Sequence, residues 1–164
     1  MKNKFQRLAL VLLCAVGTLA VLPTRVHAAA TQISGDSFYD TAGVVCEPPP
    51  SGYADFTSYP PLVISGSLEG CWYTKVVTSK QTKSGVYQEI GEEVFVGTLN
   101  GGPAGTFATT YRFEAKLDPT GTEIIGRCQH AIVTGTGGFN GATGWVFFKD
   151  DAPQYFYRAH INLG

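Results

Sequence analysis

The sequence predicts an all-β chain folded as a single antiparallel β-barrel with meander topology. From Leu62 onward, stretches of 10 to 15 residues rich in Val, Ile, Thr, Tyr, Phe and Trp are separated by turns that contain Gly, Asn, Asp or Pro. Apolar and polar residues alternate along these stretches, and no window keeps the 3.6-residue period of a helix. Strands with one apolar face must stack or close, and the short connections favour closure into a barrel.

The first 28 residues are predicted to be a signal peptide. Lys2, Lys4 and Arg7 precede an apolar run from Leu8 to Leu22, and Val26-His27-Ala28 then offers small residues for cleavage. The run has about 15 residues, whereas a membrane-spanning helix needs about 20. We therefore expect a secreted or periplasmic protein without a stable membrane anchor.

Charge and motifs narrow the classes of partner. Four of the twelve basic residues lie in the first 28 positions and all thirteen acidic residues follow them, so the remainder carries eight basic against thirteen acidic residues, a net charge of −5. This acidic balance, without a cluster of Lys or Arg, argues against nucleic acid as a partner. Only His130 and His160 lie beyond the signal, and no hydrolase, nucleotide-binding or metal-binding pattern is present. We expect neither a metal nor another cofactor.

The segment before the first predicted strand differs in composition from the rest. Residues 29–60 contain Pro48, Pro49, Pro50 and Pro60, which disfavour a long helix or a central strand. The sequence therefore predicts an irregular N-terminal arm over 29–60 and a β-barrel domain over 61–164.

Alternation along each strand predicts which side chains face the interior. Trp72 shares the inner face of residues 62–77, Tyr111 and Phe113 that of 106–118, and Tyr157 that of 155–163.

Two stretches place titratable groups near the interior. In 122–134 the inner face is predicted to carry Ile124, Cys128 and His130, with Glu123 outside. Residues 91–93, Gly-Glu-Glu, fit neither face throughout and predict a bulge, at which Glu93 or its neighbour could be turned inward as a general acid or base.

Three cysteines remain beyond the signal, enough for one disulfide in an oxidising compartment. In a meander barrel the strands of Cys71 and Cys128 are not neighbours, and the two side chains face opposite sides, so their Cα atoms cannot approach within the roughly 7 Å that a disulfide requires. Cys46 lies on the arm and can reach the outward-facing Cys71. We predict a Cys46–Cys71 disulfide and a buried Cys128 thiol.

Two segments carry a family resemblance. Residues 132–148, which contain Thr-Gly-Thr-Gly-Gly-Phe-Asn-Gly-Ala-Thr-Gly, and residues 155–163, Tyr-Phe-Tyr-Arg-Ala-His-Ile-Asn-Leu, resemble the C-terminal half of the allene oxide cyclase barrel family, which is related to the plant dirigent proteins. In that family a Gly-rich turn joins two barrel strands. The resemblance implies a calycin-like closed barrel with an apolar cavity, one end of which Phe139 would plug. The plant enzymes of the family cyclise an unsaturated epoxide.

Three functions are compatible with such a barrel. The first is a binding module for a small apolar molecule, with a pocket formed by Trp72, Tyr111, Phe113, Cys128 and Tyr157. The second is a cyclase or isomerase for a lipid-like or polyketide-like substrate, with candidate catalytic residues His130, Glu93, Tyr111 and Tyr157. The third is an extracellular interaction protein with a filled core. A cavity of several hundred Å³ would exclude a filled core, and a carboxylate or histidine within it would favour the enzyme. The oligomeric state stays open.

Overall fold

The computed structural model describes residues 31–151 and 154–164, which form a closed barrel of eight antiparallel strands. Each strand pairs with the next in sequence, and the last closes on the first, which confirms the predicted all-β meander barrel. The predicted signal peptide lies outside the described residues. Among the described residues no helix is long and apolar enough to cross a membrane. The strands are β1 Thr31–Tyr39, β2 Leu62–Gly66, β3 Leu68–Gln81, β4 Val86–Leu99, β5 Gly105–Leu117, β6 Glu123–Gly137, β7 Thr143–Asp151 and β8 Gln154–Asn162.

The predicted boundary between arm and barrel is wrong, because the barrel already begins at β1. This strand pairs with both β2 and β8 and so closes the sheet. Its inner face carries Ile33 and Ser37, both buried, with Gly35 between them. A side chain at position 35 would clash with the Ser65 carbonyl and the Tyr157 ring, so the strand must keep a glycine there. Because the inner residues of β1 are small or polar, the segment lacks the alternation of apolar residues by which a strand is recognised in a sequence.

Residues 40–61, here called the arm, run outside the barrel and contain one short 3₁₀ turn, Ser51–Tyr53. Phe56 packs with Tyr73 and Val94 of β3 and β4 on the outer face of the sheet. The arm is held there by a disulfide between Cys46 and Cys71, with 5.8 Å between the Cα atoms, which confirms the predicted pairing. The arm therefore covers part of the outer face of the barrel and excludes water from it, which is why the outward-facing Tyr73 is buried.

One end of the barrel is filled with aromatic side chains. Phe139, in the turn between β6 and β7, is fully buried, and its ring lies 5.7 Å from that of Phe95 and 5.0 Å from that of Phe107. The turn itself fits tightly against the β4–β5 connection, where a side chain at Gly138 would clash with the Pro103 carbonyl. Phe139 thus plugs this end, and the free interior volume lies at the other end.

Three bulges, at Val77 of β3 and at Ile124 and Val133 of β6, change which residues face the interior. Val77 is an extra residue of β3, opposite Gly91, so the bulge predicted within residues 91–93 lies in the neighbouring strand instead. Ile124 is an extra residue of β6 near its start, and its side chain is 47% exposed. The prediction that Ile124 faces inward and Glu123 outward is therefore wrong. The bulge turns Glu123 toward the interior.

Candidate functional site

A cavity of about 300 Å³ occupies the end of the barrel opposite the Phe139 plug and opens to solvent. Its walls come from all eight strands, together with Tyr59 of the arm and Gly121 of the β5–β6 turn. Eight aromatic side chains and four carboxyl groups line it. Among the predicted pocket residues, those at the cavity wall are Trp72, Tyr111, Phe113 and Cys128.

Tyr157 does not line this cavity, contrary to the prediction. Its side chain is fully buried between the cavity and the plugged end, and its hydroxyl accepts the Leu68 N–H at 2.7 Å. The same hydroxyl lies 3.4 Å from the Leu68 carbonyl oxygen. Tyr157 therefore ties β8 to the start of β3 and has no polar atom left for a ligand.

The centre of the cavity is a buried pair of Glu93 on β4 and His130 on β6. The side chains are 7% and 3% exposed, and one oxygen of Glu93, Oε2, lies against Nδ1 of His130. The other oxygen, Oε1, accepts the Thr74 hydroxyl at 2.8 Å. A carboxylate beside Nδ1 favours the tautomer that carries its proton there and has its lone pair on Nε2. Nε2 is buried without a hydrogen-bond partner among the described residues, and the contact between Oε2 and Nδ1 is a close approach of charges without hydrogen-bond geometry.

Aromatic rings fix the orientation of the His130 imidazole. Tyr111 stacks on it with 5.7 Å between ring centroids, and Trp72 and Phe148 meet it edge-on at 5.2 and 5.0 Å. The indole Nε1–H of Trp72 is also buried without a partner in the described part of the chain. Two adjacent rings therefore present one unsatisfied acceptor and one unsatisfied donor. Because each such group costs about 1–3 kcal/mol when buried unpaired, a molecule that satisfies both is stabilised there.

A second polar cluster surrounds Glu89, which the sequence analysis did not single out. Its carboxylate accepts three tyrosine hydroxyls: Tyr111 at 2.5 Å, and Tyr59 and Tyr87 at 2.6 Å each. Burial, followed by the hydrogen bond to Glu89, raises the pKa of Tyr111 and of Tyr59, so both stay protonated donors. Glu89 and Glu93 lie on the same face of β4. Their spacing along the strand was the feature of the sequence from which an inward-facing Glu89 could have been predicted.

A third cluster, Glu123 and Asp150, lies at the cavity mouth and was also missed. Burial, reinforced by the neighbouring Asp150, raises the pKa of Glu123 to about 7. Burial likewise raises the pKa of Asp150 to about 6, against the opposing influence of His130 and of a hydrogen bond from Glu123. A protonated Glu123 therefore donates to an ionised Asp150. The edge-to-face rings of Tyr39 and Tyr155, 5.5 Å apart, accompany the pair in the cavity wall.

Cys128 is the one free cysteine within residues 31–151 and 154–164, and it is buried. Burial, together with the charge of Glu93, raises the pKa of its thiol, so it is an apolar wall residue and a poor nucleophile. No three His, Cys, Asp or Glu side chains of the described residues are grouped so that they could hold a metal ion.

No family model, curated protein or solved structure matches this chain. The resemblance to the allene oxide cyclase family accordingly stays a prediction, and the function is argued from the cavity.

Proposed function

We propose that this protein is an exported enzyme, an isomerase or cyclase, that transfers a proton on a small carbonyl compound held in the cavity. One observation carries the proposal: His130 lines the cavity, and its buried imidazole lies beside Glu93 with Nε2 unpaired among the described residues. A volume of about 300 Å³ is at the lower end of the range for small-molecule sites.

His130 acts as the general base in this scheme. Nε2 takes a proton from a carbon next to the carbonyl group, and the imidazolium that forms is stabilised through Nδ1 by the Glu93 carboxylate. The electrons of the broken C–H bond pass to the carbonyl oxygen, which becomes an enolate. Trp72 is the available donor for that oxygen, because its Nε1–H is buried, unpaired among the described residues and part of the ring next to His130.

The second half of the reaction returns the same proton. Nε2–H of the imidazolium protonates a different carbon of the conjugated enolate, so a double bond shifts and the neutral imidazole is restored. Atoms and electrons balance without an oxidant or other co-reactant. An enolate carbon that attacks a second carbonyl group in the same molecule would give a ring instead, which is the cyclase form of the reaction.

The alternative is a binding protein for a small apolar molecule, and the eight aromatic side chains of the wall favour it. A ligand carrier is expected to have an apolar lining, however, and this cavity contains four carboxyl groups and a histidine. An interaction protein with a filled core is not supported, since the interior holds a cavity. The Cys46–Cys71 disulfide supports export to an oxidising compartment.

The test uses cyclohex-3-enone as a probe, whose conversion to cyclohex-2-enone moves one proton and is followed by ultraviolet absorbance. We expect the protein to exceed an equal concentration of imidazole by at least about 100-fold, the lower range for a positioned base. His130→Gln should abolish the excess and Trp72→Phe should reduce it, with kcat affected more than KM. His160→Gln is the matched control, because His160 is exposed on the outer face.

Deuterium incorporation next to the carbonyl group of cyclohexanone and acetone, followed by proton NMR in D₂O, extends the test to ketones without a double bond. Rates no faster than imidazole with all three probes, or equal rates for His130→Gln and the parent protein, would overturn the proposal.

A further inference from the structure

The charged groups of the cavity wall all carry the same sign. Glu89, Glu93, Glu123 and Asp150 line it, and no Lys or Arg among the described residues does so. Glu89 and Glu93 are both buried. Carboxylates gathered in a buried space repel one another and lose hydration, and no Lys or Arg of the described wall offsets either cost.

The hydrogen-bonding groups of the cavity show the same bias. Four of the six hydroxyls in the wall already donate to carboxylates: three tyrosines donate to Glu89, and Thr74 donates to Glu93. The other two are those of Tyr39 and Tyr155. The atoms that remain without a partner among the described residues include Nε2 of His130 and Oε1 of Glu123, and both are buried. Apart from the Trp72 indole and the two tyrosine hydroxyls at the mouth, the wall therefore offers acceptors to a ligand that supplies donors.

The aromatic walls suit a cation as well. Tyr39 and Tyr155 line the mouth along with Glu123 and Asp150. The faces of aromatic rings attract ammonium groups, most strongly where water is partly excluded. A mouth that combines a carboxyl pair with aromatic rings recognises a protonated amine better than a neutral or anionic group.

We propose that the molecule bound in this cavity carries a protonated amine, which the Glu123–Asp150 pair holds at the mouth. The binding of the amine does not depend on the proposed function, but the orientation of the bound molecule does: the amine at the mouth directs the carbonyl part of the substrate toward His130 and Trp72. The positive charge of the amine also adds to that of the His130 imidazolium in offsetting the negative charge of an enolate formed among carboxylates.

Binding is measured by isothermal titration calorimetry at pH 8 with three probes that share one skeleton: 2-phenylethylamine, 2-phenylethanol and 3-phenylpropanoate. We expect the amine to bind at least tenfold more tightly than the alcohol, and the carboxylate to show no binding. A double variant, Glu123→Gln with Asp150→Asn, should reduce the affinity for the amine to that for the alcohol and leave the alcohol unchanged. Glu92→Gln is the matched control, because Glu92 precedes Glu93 on β4 and is exposed.

The pH dependence gives an independent readout. The groups that face the pair are Tyr39 of β1, Glu93 of β4, His130 of β6 and Tyr155 of β8. Between pH 5 and 8 the pair loses its shared proton, so the amine should bind more tightly as the pH rises, and the double variant should show no such rise.

Equal affinity for amine and alcohol, or no binding of either, would overturn this inference. Its failure is distinguishable from that of the proposed function. A preference for the amine without proton transfer on any ketone keeps the inference and removes the enzyme. Proton transfer on neutral ketones without a preference for the amine keeps the enzyme and removes the inference.

Discussion

Replacing Tyr111 by phenylalanine removes one of the three hydroxyls that donate to Glu89. The Tyr111 hydroxyl is the only partner of Oε1 among the described side chains, and both residues are buried. A hydrogen bond to a buried charge contributes about 1.5–3 kcal/mol, and an oxygen left unpaired adds its desolvation cost. We therefore expect Tyr111→Phe to lower the free energy of unfolding by about 2–3 kcal/mol.

Tyr59→Phe is the matched comparison on the same carboxylate. Tyr59 is 39% exposed, and the oxygen to which it donates keeps Tyr87 as a second donor. Water and Tyr87 can replace the hydrogen bond that Tyr59 donates to Glu89. We therefore expect the free energy of unfolding to fall by only about 0.5–1 kcal/mol.

Urea denaturation followed by tryptophan fluorescence measures both values. A double-mutant cycle with Glu89→Gln should give a coupling of at least about 1 kcal/mol for Tyr111. Equal losses for the two tyrosine variants, or no coupling between Tyr111 and Glu89, would refute the view that the buried Tyr111 hydroxyl is the donor that holds this carboxylate.

Three further predictions concern stability. Replacing Cys46 and Cys71 by serine opens a loop whose ends are 25 residues apart, and should lower the unfolding free energy by about 3.5 kcal/mol in the same denaturation assay. Phe139→Ala should cost about 3–5 kcal/mol, because it removes the buried ring that closes the barrel; a change below 1 kcal/mol would show that the plug is dispensable. The folded-state pKa values of Glu123 and Asp150 are raised, so their stabilising contribution is complete below about pH 4 and is lost as the pH rises through 6 to 7. After allowance for the partial exposure of Glu123, we expect a fall of about 2 kcal/mol between pH 5 and 8, which Glu123→Gln should flatten.

The barrel could be predicted from local patterns because alternation decides which face of a strand is buried. Residues 106–118 show it plainly, and the same rule placed Cys71 outside and Cys128 inside, which predicted the disulfide. The first strand could not be found in this way. Its inner face carries Gly35 and the buried Ser37. The close approach of Tyr157 and of the Ser65 carbonyl requires the glycine, and that requirement is not visible in the segment itself.

The candidate site was predictable only in part, for a related reason. The alternation of residues along the strand predicted that His130 faces the interior, and the structure places its side chain against Glu93. Glu89 was overlooked because a buried carboxylate is expected only where donors surround it, and its tyrosines come from the arm and from two different strands. Glu123 faces inward because of a bulge, which depends on the pairing of β6 with β5. Asp150 lies near the end of β7, which continues to position 151.

The tautomer of His130 tests the proposed base most directly. Two-dimensional NMR of protein labelled with ¹⁵N distinguishes a protonated from a bare imidazole nitrogen, and the exposed His160 serves as an internal reference. We expect the neutral His130 imidazole to carry its proton on Nδ1, with a bare Nε2, and Glu93→Gln to disturb this tautomer. A proton on Nε2 with a bare Nδ1 would contradict the proposed mechanism, since no base would then face the cavity.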